Sequence, residues 1–307
     1  MEKEKCTLIY NPVSSGFNNK TLDKVLKKLD EKYEINAKKS EYAFHAIDIA
    51  TEVSDESDLI VSYGGDGTFG EIIQGTYNTD TKARLSHIPI GTANDLRKNF
   101  NLSKNPVKTA SLIMDGQDKK LDVFTINDVP FSYVSAFGYF ANVPCKTTSE
   151  LKKRLKYLAY LIVGLEEFKN SKPIVYDMTV THDGETFNEQ AIVGTFTNSK
   201  GFGGMNLFNN VSLDDGCFEA TFVRNMEKKD MLLLAKDIVL KKFDLHNYPE
   251  LINHFSAEEI NIVFNNFAPD DPIDLDGDFA RVLTKKDKNS YTIKKGKTIN
   301  VRFPKWF

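Results

Sequence analysis

The sequence has 307 residues and a formal net charge of −3, which arises from 40 basic and 43 acidic side chains. This length predicts about two domains with a sizeable buried core, and a hydrophobic share of 41% argues against wholesale disorder. The nearly balanced charge disfavours non-specific nucleic-acid binding, which needs a basic surface. Cys6, Cys145 and Cys217 form no CxxC pair, so neither a disulfide framework nor a zinc ribbon is indicated.

The amino terminus is charged and lacks the apolar run of a signal peptide. The longest apolar stretch, residues 157–165, is too short to span a bilayer. We therefore expect a cytoplasmic protein without a transmembrane segment, and any membrane contact is expected to be peripheral.

In the first third of the chain, short apolar runs alternate with helical patterns. The runs predict strands at Lys5–Tyr10, Tyr33–Lys39, Asp58–Tyr63 and His87–Ile90, and helices at Thr21–Glu31, Phe44–Val53 and Phe69–Tyr77. This alternation predicts an α/β domain with a doubly wound parallel sheet. Ligands of such sheets bind beyond the carboxyl ends of the strands. The polar loops 11–16, 64–68 and 91–95 all fall at such ends.

From about Leu121 onward, short strand-like runs dominate. They lie at Leu121–Ile126, Ile174–Thr181, Ala191–Thr197, Phe218–Val223, Ile260–Phe264, Tyr291–Lys294 and Thr298–Phe303. This pattern favours a mainly antiparallel β domain. We expect an N-terminal domain at 1–128, with the segment 295–307 as a candidate to complete it, and a C-terminal domain at 129–294.

The segment Gly64-Gly65-Asp66-Gly67-Thr68 lies where a predicted strand gives way to a helix. Glycines at such a place let backbone N–H groups approach phosphate oxygens, and the helix start adds partial positive charge. The alternative is a tight turn with an Asp or Thr cap. A dinucleotide-binding fingerprint fits poorly because the carboxylate of Asp66 would repel a pyrophosphate. The Walker pattern of P-loop enzymes is absent.

Gly91-Thr92-Ala93-Asn94-Asp95 forms a second turn at a strand end. Asn94 and Asp95 could simply cap the helix that follows. Beside the first motif, a nucleotide site is the better interpretation. Thr92 could then donate to a phosphate, while Asn94 and Asp95 fix the loop or a Mg²⁺-bound water.

Three further segments each allow a structural and a functional interpretation. Residues 269–278 carry five aspartates and are either an exposed acidic turn or the source of a general base. Residues 213–216 form either a hairpin turn or a cation site at Asp215. The helix predicted at 149–169 has basic first turns, and it is either a core helix or an interfacial element at anionic lipid head groups.

The ordered set of motifs resembles the diacylglycerol kinase catalytic-domain family, which includes soluble bacterial lipid kinases and sphingosine kinases. The set comprises Asn11-Pro12, Gly64-Gly65-Asp66-Gly67-Thr68, Gly91-Thr92-Ala93-Asn94-Asp95, Asp122, Phe137-Gly138, Asp215-Gly216 and Asp276-Gly277-Asp278. The resemblance covers nearly the whole chain. It implies a nucleotide-binding α/β domain, a C-terminal β-sandwich domain, an active site between them, and the use of ATP and Mg²⁺.

The resemblance also implies roles for individual residues. It places a nucleotide site at Asn11, Pro12, Val13, Ser14, Ser15, Ser40, Gly65, Asp66, Gly67, Thr68, Phe69, Gly70, Glu71 and Thr92, to which the two loop motifs add Gly64, Asn94 and Asp95. Ser40 stands where the family has Thr and keeps the hydroxyl. Asp66 and Asp122 are implied in a Mg²⁺–water network. Ser212, Asp215 and Cys217 match a structural-metal site, to which Ser212 and Cys217 would contribute backbone carbonyls.

The implied general base is Asp278, where bacterial relatives usually carry Glu in Asp-Gly-Glu. The shorter Asp reaches less far, so Asp276 is a rival for the same role, and Asp66 completes the expected catalytic set. We expect a lipid kinase that acts at the inner membrane face, with diacylglycerol as the acceptor. A soluble-substrate kinase of the NAD kinase type and a non-catalytic nucleotide- or lipid-binding regulator are the alternatives. The oligomeric state stays open, with a homodimer as one candidate.

Overall fold

The computed structural model describes residues 2–139, 163, 166, 172–202, 207–208, 211–240, 242–266, 273–276 and 289–304. The chain divides into two units. Unit 1 comprises Met1–Val123 and Lys297–Phe307, and unit 2 comprises Phe124–Gly296. Two strands, β5 (Gln117–Ile126) and β15 (Ser290–Phe303), each contribute residues to both units.

Unit 1 is built on a parallel sheet. Its other strands are β1 (Glu4–Tyr10), β2 (Tyr33–Lys39), β3 (Leu59–Gly64) and β4 (Arg84–Pro89), and its helices are α1 (Asn19–Asp30), α2 (His45–Val53), α3 (Asp66–Tyr77), α4 (Leu96–Asn99) and α5 (Pro106–Met114). The strands lie in the order β2, β1, β3, β4, β15, and each neighbouring pair is parallel. The predicted α/β domain with a parallel sheet is therefore confirmed.

The sheet of unit 1 is covered by helices because its strands are apolar on both faces. All six residues of β3 are buried, without the alternation of a half-exposed strand. Helices α1 and α5 pack together on one cluster of strand side chains, which includes Leu8 and Val61. Helices α2 and α3 form the second pair, and they approach so closely that a side chain at Gly75 would collide with the carbonyl of Ile47.

The C-terminal end of β15 completes the sheet and the core of unit 1. Val301 pairs with Leu85 of β4. Phe303 is fully buried and stacks on Phe100, with ring centroids 3.8 Å apart. Arg302 donates to the carbonyls of Ile113 and Met114 at the end of α5, where helical carbonyls lack their usual partner four residues on.

Unit 2 contains two antiparallel sheets. Its strands are the end of β5, β6 (Val129–Phe131), β7 (Val134–Gly138), β8 (Tyr176–His182), β9 (Glu185–Ala191), β10 (Val193–Thr197), β11 (Phe218–Val223), β12 (Ile252–Ala257), β13 (Glu259–Phe264), β14 (Asp274–Leu275) and the start of β15, with helix α6 (Lys228–Val239) and a 3₁₀ turn at Leu245–Asn247. One sheet has the order β12, β11, β10, β7, β14, and the other runs from β15 through β13 and β8 to β9.

The two sheets of unit 2 form a β-sandwich around one apolar core. Phe137, Phe196 and Phe222 of the first sheet share this core with Val180 and Ile262 of the second. Buried and more exposed side chains alternate along β8 and β13, as expected for strands with one face on a core, whereas β7 and β10 are buried at every residue. The predicted β-sandwich is thereby confirmed.

We expect Phe303→Ala to lower the free energy of unfolding by about 3–5 kcal/mol, because it removes a fully buried ring and leaves a cavity against Phe100. Urea denaturation of the purified protein measures the change. Val263→Ala is the control, since Val263 is 49% exposed and its truncation should cost less than about 0.5 kcal/mol. Equal losses in the two variants would contradict the role of β15 in this core.

Candidate functional site

Three loops meet at the carboxyl ends of the parallel strands in unit 1. The N–H of Asn11 donates to the carbonyl of Tyr63 (3.1 Å), and that of Ile90 donates to the carbonyl of Gly64 (2.7 Å). The N–H of Gly16 reaches the carbonyl of Ile90 (2.8 Å). The loops that follow β1, β3 and β4 are thus joined by backbone hydrogen bonds. All three carry residues that the sequence assigns to a nucleotide site.

Glycines allow the second and third loops to touch through their backbones. A Cβ atom on Gly91 would lie 2.7 Å from the Cα of Gly65, closer than real Cβ contacts come. Asn94 has a positive φ of 50° and donates from Nδ2 to the carbonyl of Gly91 (2.6 Å). The amide oxygen of Asn94 is buried, and no group of the described residues donates a hydrogen bond to it.

Side-chain hydrogen bonds link the loops further. Thr92 donates from Oγ1 to the hydroxyl of Ser15 (2.9 Å). Asn11 donates from Nδ2 to Thr68 Oγ1 (3.4 Å) and accepts from the N–H of Val13 (3.0 Å). These contacts bring together hydroxyl and amide groups from each of the three loops. Pro12 and Ser14 belong to the same turn, in which Ser14 N–H donates to the carbonyl of Asn11 (3.3 Å).

Other predicted nucleotide-site residues lie in or beside helix α3 and at the end of β2. Phe69 and Gly70 are buried, and the Phe69 ring packs 5.2 Å from that of His87. Glu71 accepts from the N–H of Ala46 at the start of α2 (3.2 Å). Ser40 is also buried and donates from Oγ to the carbonyl of Tyr10 (3.3 Å). Gly67 lies in the first turn of α3, where helix N–H groups carry partial positive charge.

The carboxylate of Asp66 ties the two glycine loops together. It accepts from the N–H of Asp95 (2.8 Å) and of Leu96 (3.3 Å), and it is 8% exposed. The sequence did not predict this contact, because Asp66 caps a helix 30 residues further along the chain rather than its own. His87 Nε2 lies 3.8 Å from Asp66 Oδ1, and burial lowers the pKa of His87 to about 3, so the imidazole is neutral.

The second carboxylate of the expected Mg²⁺ network is Asp122 on β5. It is 1% exposed and accepts from Thr298 Oγ1 (2.6 Å) on β15, a partner that the sequence did not reveal. Among the residues that the structure describes, no three His, Cys, Asp or Glu side chains are grouped as metal ligands. A Mg²⁺ ion that keeps most of its waters needs only one or two carboxylates. The Mg²⁺–water network at Asp66 and Asp122 stays a prediction.

The predicted structural-metal residues lie together in a tight turn of unit 2. Asp215 Oδ1 accepts from the N–H of Cys217 (3.0 Å), and Gly216 has a positive φ of 86°. The hydroxyl of Ser212 donates to Asp214 (2.8 Å) in the same turn. A carboxylate beside backbone carbonyls is a donor set that suits a hard cation.

Asp276 is held by backbone donors in unit 2. Its carboxylate accepts from the N–H groups of Ser132 (2.9 Å), Tyr133 (2.7 Å) and Val134 (3.2 Å), and from the Ser132 hydroxyl (3.1 Å). The residue is 2% exposed and has a φ of 57°. This surrounding suits a positioning residue better than a proton acceptor. Its rival Asp278 lies outside the described residues.

The basic helix predicted at 149–169 also lies outside the described residues, apart from Val163 and Glu166. In the part of the chain that the structure describes, no helix has the length and apolar character needed to cross a bilayer. The predicted membrane contact through residues 149–169 thus stays a prediction.

Asp276 should make stability depend on pH. Burial raises the pKa of Asp276 to about 6, although the N–H groups of Ser132, Tyr133 and Val134 lower it in part. An acid with a higher pKa in the folded protein binds more protons when folded. The stability it supplies is therefore present below pH ~4 and is lost as the pH rises through about 6.

We expect the free energy of unfolding of the wild type, relative to Asp276→Asn, to fall by about 2 kcal/mol between pH 4 and pH 7. Urea titrations at half-unit pH steps measure this difference, and groups common to both proteins cancel. Parallel pH curves for the two proteins would show that Asp276 does not titrate in this range.

Two family models together match most of the chain. Residues 5–126 match the model described as diacylglycerol kinase catalytic domain, and residues 133–280 match the model described as YegS C-terminal NAD kinase beta sandwich-like domain. A diacylglycerol kinase of Bacillus subtilis (strain 168) is 26% identical over 293 residues, which cover 94% of this chain and 94% of that relative. A diacylglycerol kinase of Staphylococcus epidermidis (strain ATCC 12228) is 28% identical over 291 residues, which cover 92% of this chain and 88% of that relative.

Solved structures show the same fold. A crystal structure from Bacillus anthracis str. Sterne matches with a TM-score of 0.80 at 23% identity, over 99% of this chain and 98% of that one. A diacylglycerol kinase structure from the same organism matches with a TM-score of 0.74 at 21% identity, with the same coverage. The two family models and the curated relatives show that the chain belongs to the diacylglycerol kinase catalytic-domain family of lipid kinases.

Proposed function

We propose that this kinase transfers the γ-phosphate of ATP to the hydroxyl group of diacylglycerol, in a Mg²⁺-dependent reaction at the inner face of the membrane. The observation that carries the proposal is the backbone contact between Gly65 and Gly91 at the ends of β3 and β4. This contact supports a binding site for the phosphate chain of ATP. The names of the curated relatives support diacylglycerol as the acceptor.

The two glycine loops can hold a triphosphate through their backbones. Without Cβ atoms at Gly65 and Gly91, phosphate oxygens can approach the N–H groups of the loops. The first turn of the twelve-residue helix α3 adds partial positive charge at the same place. The hydroxyls of Thr68 and Thr92 and the buried amide of Asn94 are further polar groups for the nucleotide.

Asp66 and Asp122 are the residues that would hold Mg²⁺, through water. When bound, the ion supplies neutralisation of the negative charge on the phosphate oxygens. Asp66 also fixes the geometry of the nucleotide loops, since its two oxygens accept from the start of α4. Loss of its charge should therefore affect both metal binding and the positions of the loops.

We assign proton acceptance from the lipid hydroxyl to Asp278, on the resemblance of its motif to Asp-Gly-Glu in relatives. We assign a positioning role to Asp276, since its carboxylate accepts several backbone hydrogen bonds and its own N–H donates to the carbonyl of Val134 (2.8 Å). Phosphoryl transfer needs positioning and charge neutralisation more than covalent chemistry, and these two carboxylates would serve the acceptor side.

We expect Asp66→Asn and Asp278→Asn each to lower kcat by about 10²- to 10³-fold, because each removes a charge that acts on the reacting groups. The assay follows radiolabelled phosphate from ATP into diacylglycerol vesicles with Mg²⁺, beside an arm that contains NAD and no lipid. Asp23→Asn, on the exposed side of α1, is the matched control and should keep full activity.

The acceptor and the site are tested separately by this assay. Label in NAD and none in lipid would replace the lipid assignment with a soluble-substrate kinase. Binding of ATP without transfer to any acceptor would indicate a regulator instead. Near wild-type turnover in both aspartate variants would show that the site residues are wrongly assigned.

Gly91→Ala should raise the Kd for Mg²⁺-ATP by at least about tenfold, because the new methyl group forces apart the loops at Gly65 and Gly91. Isothermal titration measures the Kd. Gly184→Ala is the control, since Gly184 lies at a hairpin tip of unit 2 with no atom within 4 Å of an added Cβ. An unchanged Kd in Gly91→Ala would argue against a phosphate site at these loops.

A further inference from the structure

Helix α6 (Lys228–Val239) exposes a row of large apolar side chains. Of the nine exposed large hydrophobic side chains among the described residues, four lie in the short stretch 232–240. They are Leu232 (63% exposed), Leu233 (46%), Val239 (47%) and Leu240 (51%). Single exposed hydrophobic residues are ordinary, but a group on one element marks an interaction surface.

The fold of unit 2 does not need these side chains. Helix α6 packs through its other side, where Met231, Leu234 and Ala235 are buried. Met231 contacts a cluster that contains Ile192 and Val193, and Leu234 contacts another that contains Ile252. The packing of α6 on the sandwich is therefore complete without Leu232, Leu233, Val239 and Leu240.

Lysines share the exposed face with the apolar residues. With 100° per residue, Leu232, Leu233, Val239 and Leu240 fall within one face of the helix, and Lys236 lies at its centre. Lys228 and Lys229 lie on the same face one turn earlier, and all three lysines are exposed. Lys229 pairs with Glu227 (2.9 Å), but both side chains are 74% exposed, so solvent weakens that pair. Asp230 and Asp237 lie at the edge of the face, half-buried.

We propose that this face of α6, named here the α6 surface (Lys228, Lys229, Leu232, Leu233, Lys236, Val239 and Leu240), docks unit 2 on an anionic phospholipid bilayer. Leucines on one face of a helix insert among acyl chains, while lysines extend their amines to the head groups. The helix is about 18 Å long, which suits an element lying in the plane of the membrane. A protein partner would not require interleaved lysines, whereas an anionic lipid surface does.

The α6 surface is separate from the residues that we assign to nucleotide and acceptor chemistry. The choice of a bilayer as the partner rests in part on the proposed lipid acceptor. Vesicle binding can nevertheless be measured without ATP and without diacylglycerol. A failure of the docking surface and a failure of the proposed reaction are therefore distinguishable.

The experiment measures sedimentation of the full chain with vesicles of equal parts phosphatidylglycerol and phosphatidylcholine, and with pure phosphatidylcholine vesicles. The wild type should bind the anionic vesicles, and less so at high salt. Leu232→Gln with Leu233→Gln should lower the partition coefficient at least about tenfold, since two inserting side chains are lost. Lys228→Gln, Lys229→Gln and Lys236→Gln in one chain should lower it by a similar factor.

Matched controls separate the surface from general effects. Ile174→Gln with Val263→Gln changes two exposed apolar residues elsewhere, and Lys20→Gln, Lys24→Gln and Lys27→Gln remove three exposed lysines of α1. Both controls should stay within about twofold of the wild type. All variants should keep the wild-type urea midpoint and turnover on a water-soluble short-chain diacylglycerol, because none changes a buried residue or the proposed site.

Three outcomes would overturn the proposal. The wild type could fail to bind anionic vesicles, or both α6 variants could bind as well as the wild type. Sedimentation velocity could instead show that the leucine variant converts a dimer to a monomer while vesicle binding is unchanged. That last result would assign the α6 surface to a second copy of the chain.

Discussion

The backbone contact between Gly65 and Gly91 constrains everything proposed for unit 1. It places two strand ends so close that no side chain fits between them, and Asp66 holds the arrangement by accepting from Asp95 and Leu96. Because parallel strands end at one edge of a sheet, such loops meet there whenever the strands are neighbours, as β3 and β4 are. The proposed nucleotide site is thus a consequence of strand order, and the glycines determine how closely the loops can approach.

Two buried carboxylates, Asp66 in unit 1 and Asp276 in unit 2, each hold a stretch of backbone in place. Each accepts hydrogen bonds from consecutive backbone N–H groups, which satisfies donors that would be costly to bury alone. Asp66 accepts two such bonds in unit 1, and Asp276 accepts bonds from three residues in a row. A carboxylate with this many donors is well fixed, and both of its oxygens are already engaged by protein groups rather than by a substrate. This reasoning supports Asp278 as the proton acceptor in our proposal and leaves Asp276 to fix the turn before it.

Much of the fold could be predicted from the sequence, because its patterns are local. The alternating strands and helices up to Tyr77 and the period-two strands after Leu121 determine the two architectures. Helices α5 and α6 were not predicted from the sequence. In α6, exposed leucines stand beside buried ones, so the apolar residues do not mark one buried face. The loop motifs also predicted which residues meet in unit 1. Partners distant in sequence, such as Thr298 for Asp122 and Ser132 for Asp276, could not be found, because no local pattern encodes them. The predicted domain limits and site roles stay predictions.

The family resemblance implies a Glu at the position of Asp278, and the contacts of Asp276 limit how the chain can compensate for the shorter side chain. The carboxylate and the N–H of Asp276 are both fixed to residues 132–134, so the chain is anchored two residues before Asp278. A shift of the whole turn that compensated for one missing methylene would break several buried hydrogen bonds at once, and each is costly to lose. Under the proposed role of Asp278, the shorter reach must therefore be met by the chain beyond Asp276 or by a different position of the acceptor hydroxyl.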